Sequence, residues 1–209
     1  MAAYYPLFFS LIDKLCVVVG GGKVAERKVQ GLLKADARPK VISPDVTKGI
    51  RQLCQRGKVE VLEREYREGD LEGAALAFAA TGLEEINERV RTESIRRAIP
   101  LNVVDSPNQC DFIVPSVVRN GPVSIAISTS GLLPMLAKKL KKELEGALGA
   151  DYGTYARRVG AFRKFLIEHV PDVRKRREIL KRITDADVSE VSRLSLKEMK
   201  KRFLEGKDG

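Results

Sequence analysis

The feature that most constrains the fold of this chain is a short apolar run that stops at a glycine-rich segment. Residues 15–19 read LCVVV, residues 20–25 read GGGKVA, and residues 26–33 continue with a helical pattern. A strand, a glycine turn and a helix start in this order are typical of the pyrophosphate-binding corner of a dinucleotide fold. We assign Gly20 to the tight turn and Gly22 to the close approach of the backbone to a diphosphate.

The rest of the first half alternates between predicted strands and helices. Strands are predicted at residues 40–43, 59–63, 74–80 and 101–104. A turn at Pro44-Asp45 leads into a helix that runs to about Arg56, and a further helix is predicted over 84–98, with Ile86, Val90 and Ile95 on or near one face. This alternation predicts a parallel, doubly wound sheet, in which ligands gather at the carboxyl ends of the strands. The residues expected along that edge are Gly20, Ser43, Thr81 and Asp105.

The character of the chain changes after Pro107. Residues 112–118 and 123–127 resemble two strands around a turn, and a helix is predicted over 131–148. The tail from residue 151 has a helical pattern broken at Pro171 and within 184–187. The predicted class is α/β: a Rossmann-like parallel sheet with helices on both faces (1–112), a small α+β dimerisation and substrate segment (113–148) and a helical, basic C-terminal domain (149–209).

The net charge of +10 is distributed unevenly. Residues 1–112 carry 17 basic and 16 acidic side chains, whereas residues 113–209 carry 21 and 12. The basic second half suits an anionic partner or is simply a solvated face, and charge alone does not choose between nucleic acid, a polycarboxylate and a membrane surface.

Cysteine and histidine usage argues against bound metal and disulfides. The three cysteines are far apart with no Cys-x-x-Cys, and the one histidine, His169, lies in a helical pattern. No cluster has metal-ligand spacing, so we expect no resident metal. No signal peptide or membrane-spanning run is visible, and the predicted location is the cytoplasm.

Four ordered motifs carry a resemblance to a known family. They are Gly20 to Lys28 (GGGKVAERK), Asn102 to Asp105 (NVVD), Asp111 to Pro115 (DFIVP) and Ile127 to Gly131 (ISTSG). With these motifs the chain resembles the precorrin-2 dehydrogenase family, which includes the N-terminal module of sirohaem synthase and free-standing relatives. The resemblance implies NAD as cofactor, oxidation of precorrin-2 to sirohydrochlorin for sirohaem synthesis, a homodimer, and in some relatives sirohydrochlorin ferrochelatase activity.

Asp105 matches the catalytic aspartate of that family. Aromatising one more bridge of a reduced tetrapyrrole removes a hydride and a proton, and the proton needs a base within reach. A carboxylate at the end of a strand beside the cofactor cleft suits this task. The alternative is that Asp105 only caps the turn that follows it, which is a common role of aspartate.

The resemblance places dinucleotide contacts on Lys23, Val24, Pro44 and Asp45, and we add Thr81 because of its place on the same edge. A dehydrogenase of this type usually has an acidic residue at the end of its second strand. Here residues 42–43 are Ile-Ser and Asp45 comes late. Asp45 is equally well explained as a helix N-cap, so the choice of NAD over NADP depends on the resemblance.

Ser128, Thr129 and Ser130 place hydroxyl groups before the predicted 131–148 helix. There they cap the helix, and together with backbone N–H groups they are able to hold a substrate carboxylate. The lysines of that helix suit the acetate and propionate rim of precorrin-2, although a charged helix face is more often simply solvated.

Two other functions remain open from the sequence. One is a dinucleotide-sensing regulator whose basic half binds DNA or another partner, although no helix-turn-helix pattern or interleaved aromatic residues support nucleic-acid binding. The other is a dinucleotide-sensing subunit of a transporter. Within the leading hypothesis we expect metal insertion to be weak, because no second base or histidine accompanies Asp105 in the motifs.

Overall fold

The computed structural model describes residues 4–149 and 151–205. The chain forms two compact units, one ending at Val114 and the other beginning at Pro115. The finer division of the second half at residue 148 stays a prediction.

The first unit is a parallel sheet with three helices. Its elements are β1 (Leu15–Val19), α1 (Lys23–Leu33), β2 (Arg38–Ile42), α2 (Lys48–Gln55), β3 (Glu60–Leu62), β4 (Leu76–Ala79), α3 (Glu84–Arg96) and β5 (Leu101–Val103). The strand order is β3-β2-β1-β4-β5 with every pairing parallel, which confirms the predicted sheet. The chain winds outward from β1 through β2 to β3 and then returns to β4 on the other side of β1. The strand order therefore reverses beside β1, where doubly wound sheets bind ligands.

Both faces of this sheet are covered by helices, as predicted. Successive side chains of a strand point to opposite faces, so each buried strand serves two cores. On β1, Cys16 and Val18 join a core with α1 and α2, whereas Val17 and Val19 join a second core with α3. Ala25 is fully buried at the α1–sheet contact, where its small side chain allows close packing.

Two details of the predicted helices are wrong. The alternative in which Asp45 caps helix α2 is wrong: the N-cap is Thr47, whose hydroxyl oxygen accepts the N–H of Ile50 at 3.3 Å. On α3, Val90 is buried as expected, but Ile95 remains 64% exposed, because the core-facing stripe of the helix passes beside it.

The second unit opens with an antiparallel hairpin of β6 (Ser116–Asn120) and β7 (Val123–Ile127). Strand β6 starts four residues later than predicted. Phe112 packs instead in the first unit, edge-to-face on Phe78 with ring centroids 5.5 Å apart. The strand ends at Asn120, so the turn before β7 is shorter than predicted. This turn includes Gly121 at a φ of +56°.

The remaining elements of the second unit are helical. They are α4 (Pro134–Leu148), α5 (Asp151–His169), α6 (Val173–Asp185), α7 (Val188–Arg193), α8 (Leu196–Met199) and a π-helical turn (Lys200–Leu204). The breaks predicted near Pro171 and within 184–187 are confirmed. Eight buried side chains form the core of this part: Phe162, Leu166, Val170, Ile179, Ile183, Val191, Met199 and Phe203. Within the described residues, no helix is both long and apolar enough to cross a membrane.

We expect Gly20→Ala to destabilise the first unit by at least about 2 kcal/mol, the sum of backbone strain and overpacking. Gly20 has a φ of +117°, and a β-carbon there would fall on the carbonyl oxygen of Ala80. Urea denaturation followed by circular dichroism measures the effect. The matched control is Gly31→Ala in α1, where no atom beyond the neighbouring residues and the backbone of the helix itself lies within 4 Å of the added carbon. Equal free energies of unfolding for the two variants would contradict the strain and overlap expected at Gly20.

Candidate functional site

A cavity of about 570 Å³ opens at the carboxyl edge of the first unit's sheet. Such a volume lies in the range of small-molecule and cofactor sites. Its wall is built from the glycine corner and from the segments that follow β2, β3 and β4. The lining residues are Val19, Gly20, Gly21, Gly22, Ile42, Ser43, Pro44, Asp45, Val46, Thr47, Glu65, Tyr66, Ala80, Thr81, Gly82, Leu83 and Ile86.

The glycine corner has the geometry of an anion-binding turn. The N–H of Gly20 donates to the carbonyl of Ile42 at 2.8 Å, which ties the turn to β2. Gly22 is the N-cap of α1, provides no side-chain cap and has open space where a side chain would lie. The first N–H groups of a helix lack intrahelical acceptors, so they are left for a ligand here.

Gly21 has a structural role that the sequence analysis missed. A β-carbon on Gly21 would overlap the carbonyl oxygen of Asp45, and the carbonyl of Gly21 accepts the N–H of Thr47 at 3.0 Å. The β2–α2 loop therefore packs directly on the corner. The sequence did contain an indication of this role, because only two of the three consecutive glycines had been assigned a function.

The β2–α2 loop forms one side of the cavity with Ser43, Pro44 and Asp45. The hydroxyl of Ser43 donates to the carbonyl of Asp45 at 2.7 Å and holds the loop in place. Asp45 is exposed and does not cap α2, so its carboxylate is not engaged in capping. Glu65, which follows β3, is a second exposed carboxylate on the wall. Among the described lining residues there is no lysine, arginine or histidine.

Thr81 lies on the wall as predicted, but its hydroxyl serves the loop itself. Its Oγ1 accepts the N–H of Leu83 at 3.1 Å and lies 2.8 Å from Oδ1 of Asn87. Asn87 Nδ2 in turn donates to the Thr81 carbonyl at 3.2 Å. The side chain thus shapes the β4–α3 loop, and a cofactor contact from Thr81 stays a prediction.

Tyr66 forms a buried part of the wall that the sequence analysis also missed. Its hydroxyl donates to the carboxylate of Glu93, which also accepts the N–H of Gly69 at 3.0 Å and Nε of Arg97 at 2.6 Å. Burial and the Glu93 contact raise the pKa of Tyr66, so its phenol stays protonated. The ring is therefore fixed by hydrogen bonds as well as by packing.

Asp105, Lys23 and Val24 are not among the residues that line the cavity. Lys23 and Val24 begin α1 directly after Gly22. Asp105 follows β5 at the same edge of the sheet, since Val19 is in register with Ala79 and Ala79 with Val103. It is exposed in a turn and has a φ of +60°.

Ser128, Thr129 and Ser130 lie in the second unit between β7 and α4. They do not occupy the N-cap of α4, which is Leu133, so the capping prediction is wrong in that form. Thr129 Oγ1 instead accepts the N–H of Leu133 at 3.2 Å, and Ser128 Oγ accepts that of Ser130 at 2.9 Å. The hydroxyls thus order the loop before the helix, and their contact with a substrate stays a prediction.

The one histidine of the sequence is not among the residues that line this cavity. His169 stacks on Phe165 in the second unit, with ring centroids 4.1 Å apart, and its Nδ1 lies 3.0 Å from the Phe165 carbonyl. Across residues 4–149 and 151–205, no group of three or more His, Cys, Asp or Glu is arranged to hold a metal ion.

The parallel sheet, the glycine corner and the cavity beside it define a Rossmann-type dinucleotide-binding protein. Comparison with family models agrees: the model described as putative NAD(P)-binding matches residues 7–116, and the model described as sirohaem biosynthesis protein central matches residues 120–147. The chain belongs to this putative NAD(P)-binding family and carries the sirohaem biosynthesis central segment after it.

Curated relatives with the name siroheme synthase align with most of the chain. That of Thioalkalivibrio sulfidiphilus is 38% identical over 188 residues, covering 90% of this chain and 38% of the relative. That of Methylococcus capsulatus is 36% identical over 189 residues, covering 90% and 40%. The chain thus spans about 40% of the length of these relatives. A solved structure titled SirC, precorrin-2 dehydrogenase shares the fold, with a TM-score of 0.79, 24% identity, and coverage of 97% of this chain and 100% of that one.

We expect the cavity to bind NAD more tightly than NADP, because a 2′-phosphate would meet Asp45 and Glu65 without a cation to pair with. Glu65→Arg should raise the affinity for NADP about tenfold, or about 1.4 kcal/mol, with a smaller effect on NAD. Isothermal titration calorimetry with each dinucleotide measures this. The control is Glu68→Arg, an exposed residue of the same loop that does not line the cavity. Equal affinities of the unmodified protein for NAD and NADP would refute the charge argument.

Proposed function

We propose that this protein is an NAD-dependent dehydrogenase that oxidises precorrin-2 to sirohydrochlorin in sirohaem synthesis. The observation that carries the proposal is a carboxylate, Asp105, at the same carboxyl edge of the sheet as the dinucleotide cavity. The names of the relatives and of the structural neighbour support this choice of substrate, and the NAD(P)-binding family supports the choice of cofactor.

The residues of the cavity fit a bound dinucleotide. Gly22 leaves open space at the N-terminus of α1, where the N–H groups of Lys23 and Val24 are available to the diphosphate. Asp45, beside Pro44, is exposed on the wall and suits the ribose hydroxyls. When bound, NAD supplies the hydride acceptor.

Asp105 acts in this proposal as the base. Oxidation of precorrin-2 to sirohydrochlorin removes two hydrogens, one as a hydride and one as a proton. The carboxylate of Asp105 takes the proton, and water or buffer then removes it from the resulting carboxylic acid. The proposal covers dehydrogenation alone, because proton removal by a single carboxylate does not by itself imply metal insertion.

The second unit supplies the substrate contacts in this proposal. Ser128, Thr129 and Ser130 offer hydroxyl and backbone N–H groups suited to the carboxylates of precorrin-2. The excess of basic over acidic residues beyond residue 112 suits the same polyanion.

A homodimer is part of the proposal. The start of α4 exposes a cluster of apolar side chains, among them Leu132 at 72% and Met135 at 77%. Contiguous exposed apolar surface commonly marks an interface, and this cluster lies within the segment that matches the sirohaem biosynthesis model. A second copy of the chain would bury it.

We expect Asp105→Asn to lower kcat for precorrin-2 by at least about a hundredfold, because it removes the base. Asparagine tolerates positive φ, so the turn keeps its shape. The assay is anaerobic conversion of precorrin-2 with NAD, followed by absorbance. Asp36→Asn is the matched control, since Asp36 is an exposed aspartate with a φ of +54°. No turnover by the unmodified protein, or undiminished turnover by Asp105→Asn, would show the proposal to be wrong.

We expect the unmodified protein to be a dimer and Met135→Lys to shift it to a monomer, because a charge would be buried without a partner. Light scattering coupled to size-exclusion chromatography gives the mass. Ile167→Lys, at a residue 52% exposed on α5, should leave the dimer intact. A monomeric unmodified protein at tens of micromolar would contradict this part of the proposal.

A further inference from the structure

The turn that carries Asp105 has an unusual backbone conformation. Asp105 has a φ of +60°, in the left-handed region that side chains other than glycine rarely adopt. Such conformations persist where the surroundings hold them in place. The surroundings of this turn are polar as well as apolar, and they involve three residues whose roles the dehydrogenase proposal does not use: Lys28, Asn102 and Cys110.

The thiol of Cys110 closes the turn from inside. Its Sγ accepts the N–H of Val103 at 3.2 Å and lies 3.2 Å from the Val103 carbonyl and 3.3 Å from the Ser106 carbonyl. The backbone on both sides of Asp105 is thus bonded to one sulfur atom. Burial raises the pKa of the Cys110 thiol, so the proton stays on sulfur and the S–H remains a donor at neutral pH.

Asn102 connects the same sulfur to the helix that starts at the glycine corner. This buried amide donates from Nδ2 to the Phe112 carbonyl at 2.9 Å and to Cys110 Sγ at 3.4 Å. Its Oδ1 accepts the ammonium of Lys28, on α1, at 3.1 Å. The Lys28 ammonium also lies over the ring of Phe78, 5.0 Å from its centroid. A continuous set of contacts therefore runs from α1 to the Asp105 turn.

The charge of Lys28 is held in a partly desolvated position at some energetic cost. Burial lowers the pKa of Lys28, and the neighbouring Cys110 sulfur and, more weakly, the Asp105 carboxylate oppose that shift. Within the described residues Lys28 forms no ion pair, and its hydrogen-bond partner is the neutral Asn102. An apolar cluster would fill this space without desolvating a charge, whereas a fully bonded polar network fixes one arrangement.

We propose that Lys28, Asn102 and Cys110 form a positioning network that fixes the Asp105 carboxylate relative to α1 and hence to the dinucleotide. None of the three acts on the substrate in this proposal. The inference builds on the proposed role of Asp105 as the base. Its physical reason is that proton transfer needs a base held in reach, and a misplacement of about 1 Å costs about a hundredfold in rate.

The principal test compares Cys110→Ala with Cys110→Ser. The alanine variant should lose at least about tenfold in kcat for precorrin-2, with KM for NAD unchanged, because the turn loosens while the cavity stays intact. Serine retains a donor and an acceptor at this place and should restore most of the rate. Cys54→Ala is the matched control, since Cys54 is also a free, half-buried thiol and lies outside the network.

Lys28→Met tests the other end of the network and should lower kcat in the same way, again with KM for NAD unchanged. If Cys110→Ala proves unable to fold, as circular dichroism would show, this variant decides the matter. An unchanged kcat in a folded Cys110→Ala or Lys28→Met protein would overturn the network. A loss in Cys110→Ala that serine does not restore would overturn it as well.

Amide hydrogen exchange separates this inference from the proposed function. In Cys110→Ala, residues 104–109 should exchange faster while β1 and α3 keep their protection, whether or not precorrin-2 is the substrate. Unchanged exchange at 104–109 would overturn the network even if the protein is active. Inactivity of the unmodified protein combined with faster local exchange would remove the dehydrogenase proposal and leave the network standing.

Discussion

The structure of the first unit depends on two backbone segments packing against a corner that has no side chains. The carbonyl of Ala80 approaches Gly20 from one side, and the carbonyl of Asp45 approaches Gly21 from the other. Because β1 lies between β2 and β4, the loops that follow both neighbours fold over its end. A β-carbon at either glycine would push one loop away, and these loops are the walls of the cavity. Dinucleotide binding in this protein thus depends on the absence of side chains at Gly20 and Gly21.

The sheet could be predicted from the sequence because short apolar runs alternate with helical patterns over the whole first half. The start of α2 could not be predicted, because its N-cap residue is determined by a contact with another helix. The hydroxyl of Thr47 donates to Oε2 of Glu26 on α1 at 2.6 Å, while its oxygen accepts the N–H of Ile50. That contact joins residues that are 21 positions apart, so local capping preference pointed to Asp45 instead.

The residues of the site could be predicted from the sequence only where they belong to a motif or follow a predicted strand. Gly20, Gly22, Pro44, Asp45 and Thr81 all line the cavity, and their individual roles remain predictions. Tyr66 and Glu65 lie in an irregular segment with no periodic pattern, and Tyr66 is fixed by a residue 27 positions away. Likewise, the hydroxyl groups of the loop containing Ser128 predicted a helix cap, but α4 starts later, at Pro134, with Leu133 as its N-cap.

The helical core of the second unit bears on how the chain acquires its structure. That core is drawn entirely from residues 162–203, so no two of its eight buried side chains are more than 41 positions apart. The sheet of the first unit instead pairs β1 with β4, whose partners such as Val17 and Ala77 are far apart along the chain. Local contacts form faster than distant ones, because less chain must be ordered to close each loop. The basic, helical half should therefore complete its core before β1 pairs with β4.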